Sequence, residues 1–186
     1  MRKVILQEMV SLDGYYEGPN REIDWHNVNV EFNEYAINFL NSVDILLFGR
    51  VTYELMAGYW PTESATTDDP IVAGKMNSLS KIVVSKTLDK ADWNNTRLIK
   101  ENIAEEIIKL KKQDGKDIAI FGSSDLSLTL IQHELIDEFS IFINPIVLGS
   151  GKPLFNGIKD RLKLKLIRTK TFKSGNVLLC YEPERK

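Results

Sequence analysis

The sequence predicts a single α/β domain on a mixed, mostly parallel central sheet with antiparallel strands at its C-terminal edge. Three observations lead there. Apolar runs rich in β-branched residues alternate with helical patterns as far as Leu135. Beyond Leu135 three strand-like runs follow with no helix of length between them, which requires antiparallel pairing. The 186 residues, 43% hydrophobic and 27% charged, suffice to bury one full core, so residues 1–186 are read as one domain.

The elements follow in order. MRKVILQEMVSLDG opens with two basic residues, but its apolar run is short and broken by Gln7 and Glu8, so it is a first strand at 4–10 and neither a signal peptide nor a membrane span. A helical pattern at 30–41 leads to a second strand at 43–48, which stops at Gly49-Arg50. Helical patterns at 52–57 and 71–79 precede a third strand at 81–85. Another helix at 103–113 precedes a fourth strand at 117–121, and a helix at 126–133 closes the alternating part. The remaining strands are read at 138–147, 162–172 and 177–181, each run being bounded by Gly, Pro, Asn, Asp or Ser. No internal repeat or low-complexity segment interrupts the pattern.

Composition removes several classes of function. Net charge is −2, and Lys and Arg are interspersed with Asp and Glu, so no broad basic face for nucleic acid is expected. The basic stretch 161–170 alternates Lys or Arg with Leu and Ile, the pattern of a half-exposed strand. Cys180 stands alone and has no internal disulfide partner. His26 and His133 lie far apart with no ligand-like spacing, so a cytoplasmic protein without a metal site is expected.

In open α/β sheets ligands sit beyond the carboxyl ends of the strands. Four loops fall there: Ser11-Leu12-Asp13-Gly14, Gly49-Arg50-Val51-Thr52, Ser85-Lys86-Thr87 and Gly122-Ser123-Ser124. The last three offer small or hydroxyl residues, and two add a cation. A strand delivered onto a helix start also leaves backbone N–H groups outward with a partial positive charge, which suits an anion. Taken singly such loops are ordinary turns and caps. Their recurrence at three strand ends fits the separate anchors of a dinucleotide, and Arg50 and Lys86 favour NADPH over NADH.

These loops, with Ile120-Phe121-Gly122-Ser123-Ser124 and the late segment Asn144-Pro-Ile-Val-Leu-Gly-Ser-Gly-Lys-Pro-Leu-Phe155, carry a resemblance to the dihydrofolate reductase-like superfamily over nearly the whole chain. Within it the chain is similar to stand-alone proteins related to the reductase domain of the bifunctional riboflavin-biosynthesis deaminase/reductase. The resemblance implies the superfamily's three-layer fold, a homodimer, NADPH as cofactor and hydride transfer to a small heterocyclic substrate, the nearest named activity being 5-amino-6-(5-phosphoribosylamino)uracil reductase. It assigns Gly49, Arg50 and Thr52 to cofactor phosphates, with Arg50 toward the 2′-phosphate. Ser85 and Lys86 fall to the adenosine end, and Gly122, Ser123 and Ser124 to the turn under the pyrophosphate and nicotinamide. A Ser at the second position of that turn is expected only with negative φ.

On the substrate side, riboflavin-pathway reductases commonly carry Glu before the Gly-Gly turn and Asp-Gly-Lys in the first loop, where this chain has Phe121 and Tyr15. Dihydrofolate reductases hold a carboxylate on the first helix; Glu31 and Glu34 fall in the corresponding stretch. Asp13 and Glu31 are the catalytic candidates, and Trp25, Tyr53 and Trp60 are candidate walls for a flat ring. Gly149-Ser150-Gly151-Lys152 partly matches a P-loop, but Ile146 occupies the first Gly position and Pro153 replaces the required Ser or Thr, so it reads as a closing loop. Two readings stay open: an NADPH-dependent reductase, and a non-catalytic nucleotide- or ligand-binding homodimer that retains the fold.

Overall fold

The computed structural model describes residues 1–184 and places one large sheet between two helical layers. The chain runs β1 (Val4–Ser11), β2 (Tyr15–Glu17), α1 (Val30–Ser42), β3 (Val43–Gly49), α2 (Arg50–Tyr59), α3 (Glu63–Asp68), α4 (Pro70–Ser78) and β4 (Ser80–Val84). It continues through β5 (Thr96–Ile99), α5 (Ile103–Lys111), β6 (Asp117–Phe121), α6 (Ser124–Gln132), β7 (Glu138–Asn144), β8 (Lys152–Pro153), β9 (Leu164–Thr171) and β10 (Val177–Pro183).

The eight-stranded sheet has the order β5-β4-β3-β6-β1-β7-β10-β9. Strands β5 to β7 in that order pair in parallel, and β10 pairs antiparallel with both β7 and β9. The mixed sheet with an antiparallel C-terminal edge is the predicted one. β1 and β3 are buried almost throughout because helices cover both faces, as parallel strands require. On one face Ile107 and Leu110 of α5 and Leu126 and Leu130 of α6 pack over Leu6, Leu47 and Ile120. On the other, Phe39 of α1, Tyr53 of α2 and Met76 of α4 pack over Ile5, Leu46 and Ala119.

Helix starts are fixed by side chains where the chain can supply them. Asn29 accepts from the Phe32 N–H at α1, Thr62 from Ala65 at α3, and Asp69 from Val72 at α4, where Pro70 opens the helix. At the other end of α4, the buried Lys81 ammonium donates to the carbonyls of Met76, Asn77 and Leu79 at 2.7–3.1 Å and lies 4.6 Å from the Trp93 ring centre. Burial pushes its pKa down to about 8, while the three carbonyls favour the charged form, so it acts as a cationic C-cap at neutral pH. Lys81→Met is expected to lower stability by about 1–2 kcal/mol, read as a reduced urea midpoint, because three carbonyls lose their donor.

Several elements differ from the sequence expectation. β5 pairs in parallel with β4 after the loop 85–95 and without an intervening helix, which breaks the predicted alternation. β2, β8 and α3 are short and lack a readable period. β7 ends at Asn144 rather than at 147, because Pro145 has no N–H for the ladder. β9, in the basic stretch read as a half-exposed strand, is instead exposed along nearly its whole length, because it lies at the edge of the sheet. Among the described residues no helix is long and apolar enough to cross a membrane, and no cluster of His, Cys, Asp or Glu is arranged to hold a metal.

Candidate functional site

β3 and β6 are neighbours in the sheet, and each feeds a helix directly. α2 starts after Gly49 and α6 after Ser123, in both cases with no side chain capping the first turn. Two sets of unpartnered N–H groups with partial positive charge therefore stand side by side at the carboxyl edge. They border a cleft of about 620 Å³, whose walls include Tyr16, Arg50, Thr52, Ser123, Asp125 and Lys152.

Glycine makes the close approach possible. A Cβ on Gly49 would overlap Oγ and Cβ of Ser123, and one on Gly122 would lie 2.7 Å from Thr52 Oγ1. The two turns thus interlock, each glycine receiving the side chain of the other loop. Gly122 has φ +63° and Ser123 φ +71°, so the expectation of a negative φ at Ser123 is not met. An L-residue held there costs about 1–2 kcal/mol, and the interlocked turns maintain it.

The remaining sequence candidates are distributed as follows. Arg50 reaches the cleft, but its guanidinium is engaged by Glu54 at 2.8 and 3.1 Å. Ser124 is buried, 3.1 Å from the Tyr16 hydroxyl. Ser85 and Lys86 follow β4, one strand outward from β3, and do not line this cleft. The Ser85 hydroxyl accepts from the N–H groups of Thr87 and Leu88 and so shapes its own loop, whereas Lys86 is exposed.

Asp13 is exposed, and its carboxylate ties two loops together. It accepts from the Ser11 hydroxyl at 2.7 Å and from the N–H groups of Leu148 and Gly149 at 3.1 and 2.8 Å. The Ser11 hydrogen bond, followed by those backbone donors, holds its pKa below the usual aspartate value. A depressed pKa makes this tie present above the ordinary aspartate range and lost as pH falls through the lowered one. Asp13→Asn is accordingly expected to speed amide exchange at Leu148 and Gly149 at neutral pH, with little change at acid pH.

Glu31 accepts from the Lys173 N–H at 2.8 Å and fastens the β9–β10 turn to the start of α1, while Glu34 is exposed. Tyr53 and Trp60 belong to the α2 side of the core, and the Trp25 indole donates to the Glu22 carbonyl. A second cleft of about 680 Å³ lies on that side between Tyr53 and Trp93. There the Trp93 N–H donates to Tyr53 Oη and Trp93 Nε1 to Asn77 Oδ1.

Sequence reasoning missed Tyr16 at this cleft, and the buried polar pair Gln7 and Glu8 on β1, the strand next to β6. Tyr16 and Lys152 face each other across the short β2–β8 pair, the Lys152 ammonium 5.6 Å from the Tyr16 ring centre. Gly151 permits that pairing, since a Cβ there would overlap the Glu17 carbonyl. Gln7 and Glu8 are buried neighbours on β1 and point to opposite faces. Among the described residues Gln7 Oε1 and Glu8 Oε2 have no hydrogen-bond partner. Burial pushes the Glu8 carboxyl up to about 8, against the pull of the N–H groups of Met9 and Gly122. The available signal was a polar pair inside an otherwise apolar strand.

The family model described as RibD C-terminal domain matches residues 2–178. The chain is similar to the Bacillus subtilis protein YyaP, at 40% identity over 180 residues covering 97% of this chain and 94% of that protein. It is also similar in structure to a Thermotoga maritima diaminohydroxyphosphoribosylaminopyrimidine deaminase/5-amino-6-(5-phosphoribosylamino)uracil reductase. There the TM-score is 0.69 at 17% identity, over 98% of this chain and 56% of that one. A dihydrofolate reductase from Enterococcus faecalis, complexed with NADP(H), matches with TM-score 0.64 at 14% identity, over 98% of this chain and 97% of that one. The shared fold is dihydrofolate reductase-like.

Proposed function

The chain belongs to the RibD C-terminal domain family, and from that premise we propose that it is an NADPH-dependent reductase of a small heterocyclic substrate. The nearest named activity is reduction of 5-amino-6-(5-phosphoribosylamino)uracil. The observation that carries the proposal is the pair of uncapped helix starts, interlocked through Gly49 and Gly122, on one cleft that also holds Arg50 and Lys152. Such an arrangement fits a pyrophosphate, which takes backbone N–H donors at close range.

The residues divide the work along the sheet. The N–H groups at the starts of α2 and α6 and the hydroxyls of Thr52 and Ser123 would hold the pyrophosphate. Arg50 would exchange Glu54 for the 2′-phosphate, and the Ser85-Lys86 loop lies farther out on the same side. When bound, NADPH supplies the hydride, and the protein supplies alignment and exclusion of water. On the opposite side, at β1, the unpartnered Gln7 Oε1 offers a buried acceptor to a polar heterocycle.

The second reading, a binding protein without turnover, is favoured by Phe121 and Tyr15, which leave the first loop and the Gly122 turn without the charged groups common in riboflavin-pathway reductases. Incubation with NADPH and a panel of dihydropterins and aminopyrimidines separates the two. Substrate-dependent loss of nicotinamide absorbance is the expected result. Tight cofactor binding with no turnover across the panel would support the binding protein.

A further inference from the structure

β1 remains paired with β7 as far as Ser11↔Asn144, but its pairing with β6 stops at Gln7↔Phe121, where β6 turns away through Gly122. From Glu8 onward the β6-facing edge of β1 is therefore open. Glu8 stands at that opening. It is only 8% exposed, its Oε2 has no partner among the described residues, and its carboxyl lies against the N–H groups of Met9 and Gly122. Gly122 is the residue over which Thr52 of the cleft wall closes.

The sheet order gives a direction. Reading inward from β4 through β3 and β6 to β1, the Ser85-Lys86 loop comes first, then Arg50, then the paired helix starts, then Glu8. If the 2′-phosphate lies toward Arg50 and the pyrophosphate between the helix starts, the other end of the dinucleotide is carried toward β1. That end is a nicotinamide, whose primary carboxamide offers one acceptor and an N–H donor side by side. A neutral carboxyl offers the complementary donor and acceptor. We propose that Glu8 binds the nicotinamide carboxamide and is a cofactor-contacting residue of this site. This rests on the NADPH reading above.

The neutral form is available near pH 7, since burial raises the Glu8 pKa to about 8 and the nearby Glu17 adds to the rise. Tyr16 on β2, Lys152 on β8 and Asp125 on α6 line the neighbouring cleft. The last two are 3.7 Å apart and offset each other. β7 presents the apolar Ile141 opposite Glu8.

The test compares NADPH with 2′,5′-ADP, which keeps the phosphate anchors and lacks nicotinamide, by calorimetry across pH. For the native chain, NADPH affinity relative to 2′,5′-ADP is expected to hold up to about pH 8 and then to fall by up to tenfold per pH unit as Glu8 ionises. The ratio cancels ionisation of the 2′-phosphate, which both probes share. Glu8→Gln should bind NADPH about as tightly at neutral pH and lose the alkaline fall. Glu8→Leu should weaken NADPH about tenfold without affecting 2′,5′-ADP. An unchanged alkaline profile in Glu8→Gln, or equal NADPH affinity in Glu8→Leu, overturns the Glu8 assignment and leaves the cofactor site intact. Failure of both probes to bind the native chain overturns the cofactor reading and this assignment together.

Discussion

Arg50→Ala is expected to weaken NADPH binding by about 10- to 100-fold and to leave NADH binding nearly unchanged. The range corresponds to the 1.5–3 kcal/mol typical of a hydrogen bond to a charged group. The selectivity follows from position. Arg50 opens α2 with its side chain directed into the cleft, 43% exposed and engaged by an i,i+4 pair with Glu54. A surface pair of that kind contributes little, about 0.3–0.5 kcal/mol, so a doubly charged phosphate displaces Glu54 at small cost. Two refinements follow. Glu54→Gln should tighten NADPH slightly by removing the competitor, and raising salt should reduce the NADPH preference, since the guanidinium is partly exposed. Equal loss for both dinucleotides in Arg50→Ala, measured by titration at one ionic strength, would remove Arg50 from the 2′-phosphate.

Gly49→Ala is expected to abolish measurable dinucleotide binding and to destabilise the fold by about 1–3 kcal/mol, the usual cost of forcing a group into an occupied space. The added methyl would meet the Ser123 side chain, so the α6 turn must move away from α2. Because the clash is with one named side chain, the double variant Gly49→Ala with Ser123→Gly should recover most of the stability. Ser123→Gly alone relieves φ +71° and should raise stability by up to about 1 kcal/mol, net of the extra chain entropy of glycine. A double-mutant cycle read from urea midpoints measures this coupling. Additive effects would show that the two turns do not interlock.

Much of the fold was legible because it depends on periodicity. β6 has the bounds read from the sequence, and β1 and β3 extend theirs by one residue at the carboxyl end. β5 was not legible. Thr96–Ile99 is short, and its parallel pairing with β4 is reached through an irregular loop where a helix is the common connection. The site was legible where it depends on local sequence: Gly49, Arg50 and Thr52 sit on one turn, and Gly122 and Ser123 on another. It was not legible where it depends on which strands are neighbours. Tyr16 and Lys152 meet only through β2 and β8, and Glu8 gains its setting only because β6 leaves β1 one residue earlier. Ser85 shows the converse. Its residue type suits a phosphate loop, yet its hydroxyl is taken up by two amides of its own turn.

The central claim is that the cleft between α2 and α6 is a site for a 2′-phosphorylated dinucleotide. Titration of the native chain with NADPH and NADH, followed by nicotinamide fluorescence, tests it most directly. The account predicts saturable binding of NADPH with a preference of at least about tenfold over NADH, the lower limit set by one charge-assisted contact at Arg50. Binding of neither dinucleotide, or of both equally, would contradict it.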